Sequence, residues 1–105
     1  MADPAVYVTD THSLLWFLTE SPKLSATAKS AFDHAASGNA LLIIPAIVVA
    51  ELIYTVQSRK IDLDVESAID RLSRNPAVEF TPLTLRTVRA MLSLKSVPEM
   101  HDRLI

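Results

Sequence analysis

The chain has 105 residues, of which 50% are apolar, and this length and composition predict one small folded domain over residues 1–105. Ten Lys and Arg against 12 Asp and Glu give a formal net charge of −2, which excludes a strongly basic nucleic-acid-coating protein but not a local basic patch. The absence of Cys excludes disulfide scaffolds, thiolate zinc sites and thiol catalysis. The one Gly excludes Gly-rich phosphate-binding loops.

Strand and helix patterns alternate along the sequence. Short β-prone apolar runs predict strands at residues 5–9, 41–44 and 78–81. Apolar residues at helical spacing predict helices at residues 12–18, between 25 and 38, and at 46–58, 65–72, 84–92 and 98–105. Strands that alternate with helices imply crossover connections, so the predicted fold is α/β with a parallel sheet.

Local signals mark several helix ends. Ser25 is a plausible N-cap, and Gly38 stands where a left-handed C-terminal cap would lie. Either Asp62 or Asp64 is placed to cap the helix that follows, and Pro98 suits the first position of the last helix. No apolar run approaches the ~20 residues of a membrane span, and the N-terminus lacks the basic segment of a signal peptide, so we expect a cytoplasmic location away from membranes.

Two carboxylates occupy positions with both a structural and a functional interpretation. Asp10 follows the first strand, where it can cap the next helix or contribute to a ligand site at the carboxyl end of the sheet. Glu51 lies on an otherwise apolar helix, so its side chain must reach a cleft, lie at the helix edge, or pair with a basic residue such as Arg59 or Arg103.

A third carboxylate, Asp102, lies near the end of the sequence. It is one turn beyond Glu99 on the predicted last helix, where the simplest interpretation is an acidic residue favoured by the helix dipole. Taken together, Asp10, Glu51 and Asp102 fit a different chemistry, because Mg²⁺ and Mn²⁺ prefer oxygen ligands and use a few carboxylates plus waters. Converging carboxylates repel each other, and a bound cation removes that penalty.

Three segments resemble the acidic motifs of PIN-domain proteins of the VapC toxin type. In chain order they are VYVTDTHSLLWFL at residues 6–18, IPAIVVAEL at 44–52 and PEMHDRLI at 98–105. The resemblance implies a PIN-like three-layer α/β/α fold with a parallel sheet. It also implies a metal-dependent endoribonuclease that cleaves single-stranded regions of RNA, with Mg²⁺ or Mn²⁺ as cofactor. Many members of this toxin type are held inactive by a cognate antitoxin protein.

The resemblance also assigns individual residues. Asp10, Glu51 and Asp102 match the first three acidic positions of the family, as catalytic residues and metal ligands, and Thr11 matches a small hydroxyl residue that bonds a carboxylate or a metal-bound water. Family members usually continue into a further strand with a fourth acidic residue, which this sequence lacks. We therefore expect a PIN-like domain that is incomplete at its C-terminus.

Two further expectations concern partners. Lys and Arg side chains would contact the RNA backbone, although most of them are expected on solvated helix faces; the candidates are Lys23, Lys29, Arg59, Lys60, Arg86, Arg89 and Arg103. Trp16 and Phe17 could stack on a base but suit a core or an interface better. The alternative function is a catalytically silent module that acts by protein–protein association, as a homodimer or with an antitoxin-like chain.

Overall fold

A computed structural model describes residues 5–82, 84–86, 89, 100 and 101. In this part of the chain, strands and helices follow each other in the order β1 (Ala5–Thr9), α1 (Thr11–Leu18), α2 (Ala26–Ala36), β2 (Ala40–Pro45), α3 (Ala46–Ser58), α4 (Val65–Ser73), β3 (Val78–Thr81) and β4 (Met100–His101). The predicted mixed α/β fold is confirmed. The bounds of α3 and β3 agree with the sequence prediction to the residue.

The strands form a sheet of order β3-β2-β1-β4. β1 and β2 pair in parallel with Tyr7 opposite Leu42, and β2 and β3 pair in parallel with Ile44 opposite Phe80. The helices α1 and α2 connect the first parallel pair, and α3 and α4 connect the second. The carboxyl ends of three parallel strands therefore meet at one edge, and Asp10 directly follows β1 at this edge.

The prediction of a helix over residues 98–105 is wrong at Met100 and His101. These two residues form β4, which pairs antiparallel with β1 and places His101 opposite Val8. The physical reason is that β1 would otherwise present unpaired backbone N–H and C=O groups at the sheet edge. Asp102, the third acidic residue of the sequence analysis, lies outside the described residues.

The core lies between the sheet and the helices. The side chains of Leu14, Phe32, Leu42, Ile44 and Leu52 are at most 2% exposed and come from α1, α2, β2 and α3. Burying each such side chain stabilises the fold by about 1.5–3 kcal/mol before the loss of chain entropy. The core thereby fixes the positions of α1 and α3, the two helices that begin at the carboxyl edge of the sheet.

The predicted caps of α2 and α4 are present. Ser25 accepts a hydrogen bond from the Ala28 N–H, and Gly38 adopts a left-handed φ of 83° after the end of α2. Of the two candidates for α4, Asp64 is the cap, accepting the Ser67 N–H. That hydrogen bond holds the pKa of the Asp64 carboxyl below its ordinary value.

Candidate active site

An open cleft of about 420 Å³ lies at the carboxyl edge of the sheet, between the starts of α1 and α3. Its lining combines apolar side chains from the strand ends with polar side chains from both helices: Val8, Thr9, Asp10, Thr11, His12, Pro45, Val48, Glu51, Tyr54 and Thr55. Val8, Thr9 and Val48 are buried, whereas His12, Glu51 and Tyr54 are exposed. The cleft therefore has an apolar base and a polar rim that water and a ligand can reach.

Asp10 is held at the cleft by its role as the N-cap of α1. Its backbone is extended (φ −99°, ψ 176°), and its Oδ1 accepts the Ser13 N–H at 2.8 Å. The predicted capping function is thus present, and it coexists with a place in the cleft lining. Within the described residues, Oδ2 of Asp10 accepts no hydrogen bond.

Glu51 reaches the same cleft from α3. Val48, Leu52 and Val56 form the buried stripe of this helix, and Glu51 lies about 100° around the helix from Leu52. That position puts the carboxylate at the helix edge and not in the core. Of the described basic side chains, none forms an ion pair with Glu51, Arg59 included; Arg103 lies outside the described residues.

One hydrogen bond joins the two helices across the site. The Thr11 hydroxyl donates to Oε1 of Glu51 at 2.6 Å, although 40 positions separate the two residues in the sequence. The sequence analysis left two partners open for the Thr11 hydroxyl, a carboxylate and a metal-bound water. In the structure its partner is a carboxylate. Because the Thr11 hydroxyl donates its proton to Glu51, the lone pairs of the Thr11 oxygen can still accept a hydrogen bond from water or contact a cation.

The donor set at this edge fits a hard divalent cation in its chemistry. Asp10 and Glu51 bring carboxylate oxygens and Thr11 a hydroxyl oxygen, the ligand types that Mg²⁺ and Mn²⁺ prefer. Over the described residues, three or more Asp, Glu, His or Cys side chains that could hold a metal do not come together. The described cleft thus supplies two carboxylates. A Mg²⁺ site with two carboxylates is completed by water or substrate oxygens.

None of the described basic residues that were expected to contact RNA lines this cleft, and Arg103 lies outside the described residues. Among the cleft-lining residues that the structure describes there is neither a Lys nor an Arg. Lys29 pairs with Asp33 on the exposed face of α2, and Lys23, Arg59 and Lys60 are also exposed elsewhere. The cleft has two acidic residues and no described basic partner for them.

Trp16 and Phe17 pack against the core, one of the two locations, core or interface, that the sequence favoured over base stacking. Phe17 stacks on Phe32 with ring centroids 4.4 Å apart, and both Trp16 and Phe17 are partly buried against the core. Two other ring side chains, His12 and Tyr54, also line the cleft, and the sequence analysis gave neither of them a role in the site. The spacing offered a signal, because Tyr54 is three residues after Glu51 and His12 two residues after Asp10.

The fold agrees with what a comparison with known families finds. The family model of the PIN domain matches residues 7–101, and the chain belongs to the PIN-domain family. PIN domains are in general metal-dependent nucleases, so the match indicates a nuclease-type function. No curated protein and no solved structure matches the chain. In the described part, no helix has the length and apolar character that a bilayer crossing requires.

Proposed function

We propose that this chain is a divalent-metal-dependent endoribonuclease of the VapC toxin type, which hydrolyses phosphodiester bonds in single-stranded regions of RNA. One observation carries the proposal: Asp10 and Glu51, 41 positions apart, line one cleft at the carboxyl edge of the sheet. Membership of a family of nucleases gives this pair of carboxylates a chemical purpose. The ion would be Mg²⁺ or Mn²⁺.

Three acidic residues have distinct proposed roles. Asp10, whose Oδ1 is occupied by the Ser13 N–H, would hold the cation through Oδ2. Glu51, oriented by the Thr11 hydroxyl, would complete the ligand set or orient the attacking water. Asp102 lies outside the described residues, and its role as a third ligand is proposed from the sequence motif alone.

The chemistry requires an activated water and compensation for phosphate charge. A bound divalent ion supplies both, since it lowers the pKa of a water molecule and offsets negative charge on the phosphate. The side chains of the cleft then have two tasks. Asp10 and Glu51 present fixed negative charge to the cation. Thr11 keeps the Glu51 carboxylate in one orientation, which reduces the reorganisation needed during reaction.

The toxin role and its partners are part of the same proposal. We propose that a cognate antitoxin protein inhibits the chain in the cytoplasm and that the chain forms a homodimer. The support is the likeness of all three acidic segments to VapC-type sequences, together with apolar side chains at the surface. Among the described residues, Ile53 is 40% exposed and Leu85 is 68% exposed, and such side chains would contribute to a protein contact.

The test is cleavage of a fluorogenic single-stranded RNA by the purified chain with Mg²⁺, with Mn²⁺ and with EDTA. Cleavage should require the cation and should fall at least tenfold in Glu51→Gln, which keeps the size and a hydrogen-bond acceptor for Thr11 but removes the charge. Glu66→Gln is the matched control, because Glu66 is an exposed acid on α4 outside this cleft. A base-paired RNA hairpin serves as the substrate that should resist cleavage.

Three results would contradict the proposal. Cleavage that persists in EDTA, or that is equal in Glu51→Gln and wild type, would reject the metal-nuclease assignment. No cleavage in either metal, combined with metal-independent self-association, would instead favour the catalytically silent module considered from the sequence.

A further inference from the structure

Tyr54 is unusually exposed for a large aromatic side chain. It is 73% exposed, it lines the cleft, and it lies one helical turn after Glu51 on α3. An aromatic ring that is exposed to water on a helix surface contributes little to stability, because an aromatic side chain stabilises a fold mainly by being buried. The ring is therefore free to contact a ligand that enters the cleft.

A second ring approaches the cleft from the other helix. His12 lies in the first turn of α1, two residues after Asp10, and is exposed. Its ring lies 5.7 Å from that of Trp16, centroid to centroid, and Trp16 itself packs against the core. Trp16 thus packs against the His12 ring. The cleft receives one ring and one carboxylate from α1 and its N-cap, and one of each from α3.

The charge of the cleft limits how a nucleic acid can be held there. The described lining has two carboxylates and no Lys or Arg, so its side chains repel phosphates in the absence of a cation. Attraction to the backbone, the usual source of affinity for nucleic acids, is not provided by this lining. Flat aromatic surfaces remain, and they bind the faces of bases, which carry no charge.

We propose that Tyr54, assisted by His12, is the stacking platform that holds an unpaired base beside the carboxylates Asp10 and Glu51. The proposal rests on the proposed ribonuclease function and adds the part of the substrate that the site recognises. Stacking on an aromatic side chain requires a base that is splayed out, and a base inside a duplex is not accessible. Tyr54 would thereby give the cleft its preference for single-stranded RNA, with little selectivity among bases.

The experiment measures binding and cleavage separately. Binding of a fluorescent single-stranded RNA is followed by anisotropy in an Asp10→Asn background that prevents cleavage. Because this background is also expected to lack the cation, every variant is compared in the same cation-free state. Tyr54→Ala should weaken binding about 5- to 100-fold, and Tyr54→Phe should retain most of it, because stacking needs the ring and not the hydroxyl. Gln57→Ala is the control, as an exposed position on the same helix outside the cleft. In the cleaving protein, Tyr54→Ala should raise KM more than it lowers kcat.

An abasic site separates stacking from a structural role. One nucleotide at a time is replaced by an abasic residue along the RNA. At the stacked position, the abasic replacement should weaken RNA binding to the protein that has Tyr54. It should have little further effect on RNA binding to the Tyr54→Ala variant. The salt dependence of binding should be the same in both proteins, because Tyr54 contacts no phosphate.

The outcomes distinguish this inference from the proposed function. If the wild-type chain cleaves RNA with a metal, and Tyr54→Ala has unchanged KM and abasic discrimination, the stacking proposal alone is overturned. A change in oligomeric state with unchanged RNA affinity would overturn it as well and would assign Tyr54 to a protein interface. If the wild-type chain neither binds nor cleaves RNA in any metal, both proposals are overturned.

Discussion

Asp10 has two separable roles, and two substitutions distinguish them. As the N-cap of α1 it accepts the Ser13 N–H at 2.8 Å, and as a carboxylate of the cleft it is proposed to bind the cation. Asn is as good an N-cap as Asp but carries no charge, whereas Ala is a poor cap. Asp10→Asn should therefore remove activity and leave the fold intact, and Asp10→Ala should damage both.

The magnitudes follow from the contacts of this one side chain. Loss of the cap hydrogen bond in Asp10→Ala costs about 1 kcal/mol, and loss of the charge at the helix N-terminus costs about 0.3–1 kcal/mol more. The sum, about 1–2 kcal/mol, corresponds to a fall in Tm of about 4–8 °C for each kcal/mol. In Asp10→Asn the cap hydrogen bond is kept and only the charge is lost, so the change should stay below about 1 kcal/mol.

Thermal unfolding by circular dichroism, with EDTA and with Mn²⁺, measures both roles. A cation at ten times its Kd should stabilise the wild-type chain by about 1.4 kcal/mol, and neither Asp10 variant should respond. Asp64→Ala is the matched control: it removes another Asp N-cap, on α4, so it should lower Tm yet keep the response to Mn²⁺ and the cleavage activity. The reasoning is refuted if Asp10→Asn retains the Mn²⁺ response, or if Asp10→Ala is as stable as Asp10→Asn.

Three further predictions concern single contacts. Thr11→Val should lower kcat about 2- to 10-fold through loss of the hydrogen bond to Glu51, and Thr11→Ser should restore it; equal rates in the two variants would contradict a positioning role. Lys60 has a left-handed φ of 53° after α3, so Lys60→Gly should raise the free energy of unfolding by about 0.5–1 kcal/mol in urea titrations, and no gain would mean that the strain is absent. The Ser67 N–H lowers the pKa of Asp64. The stabilising effect of the ionised Asp64 carboxylate is therefore present above pH 3.8, the ordinary pKa of the group, and is lost as the pH falls through the lowered pKa. The Tm difference between wild type and Asp64→Asn should shrink over that acidic range, and a constant difference would exclude the effect.

The sequence predicted best those elements whose ends have local chemical signals. Pro45 is the last residue of β2 and the N-cap of α3, and Pro82 follows β3, so the start of α3 and the end of β3 agree with the prediction. Ser25 and Gly38 frame α2 in the same way: the Gly38 and Asn39 N–H groups close its C-terminus. In each case the determining interaction spans a few residues, which is why composition and spacing were enough.

The prediction was wrong where a distant partner determines the conformation. Residues 100 and 101 carry a helical pattern with Pro98 as an apparent start, yet they pair with β1, more than 90 positions earlier. Nothing local shows that the edge of β1 needs a partner. The hydrogen bond between Thr11 and Glu51 is non-local in the same sense, so the sequence indicated both residues but not their contact.

The candidate site shows why its residues had two interpretations in the sequence. The interaction that makes Asp10 a helix cap also fixes its carboxylate at the sheet edge, and the Thr11 hydroxyl that binds Glu51 also joins α1 to α3. The structural role and the proposed functional role therefore fall on the same side chains, and no pattern of residue types can separate them. The two roles differ only in the charge that they require, because a cap needs an acceptor oxygen, whereas a cation site needs a negatively charged oxygen. At Asp10 and Glu51, substitutions that keep the acceptor and remove the charge therefore test function without first testing the fold.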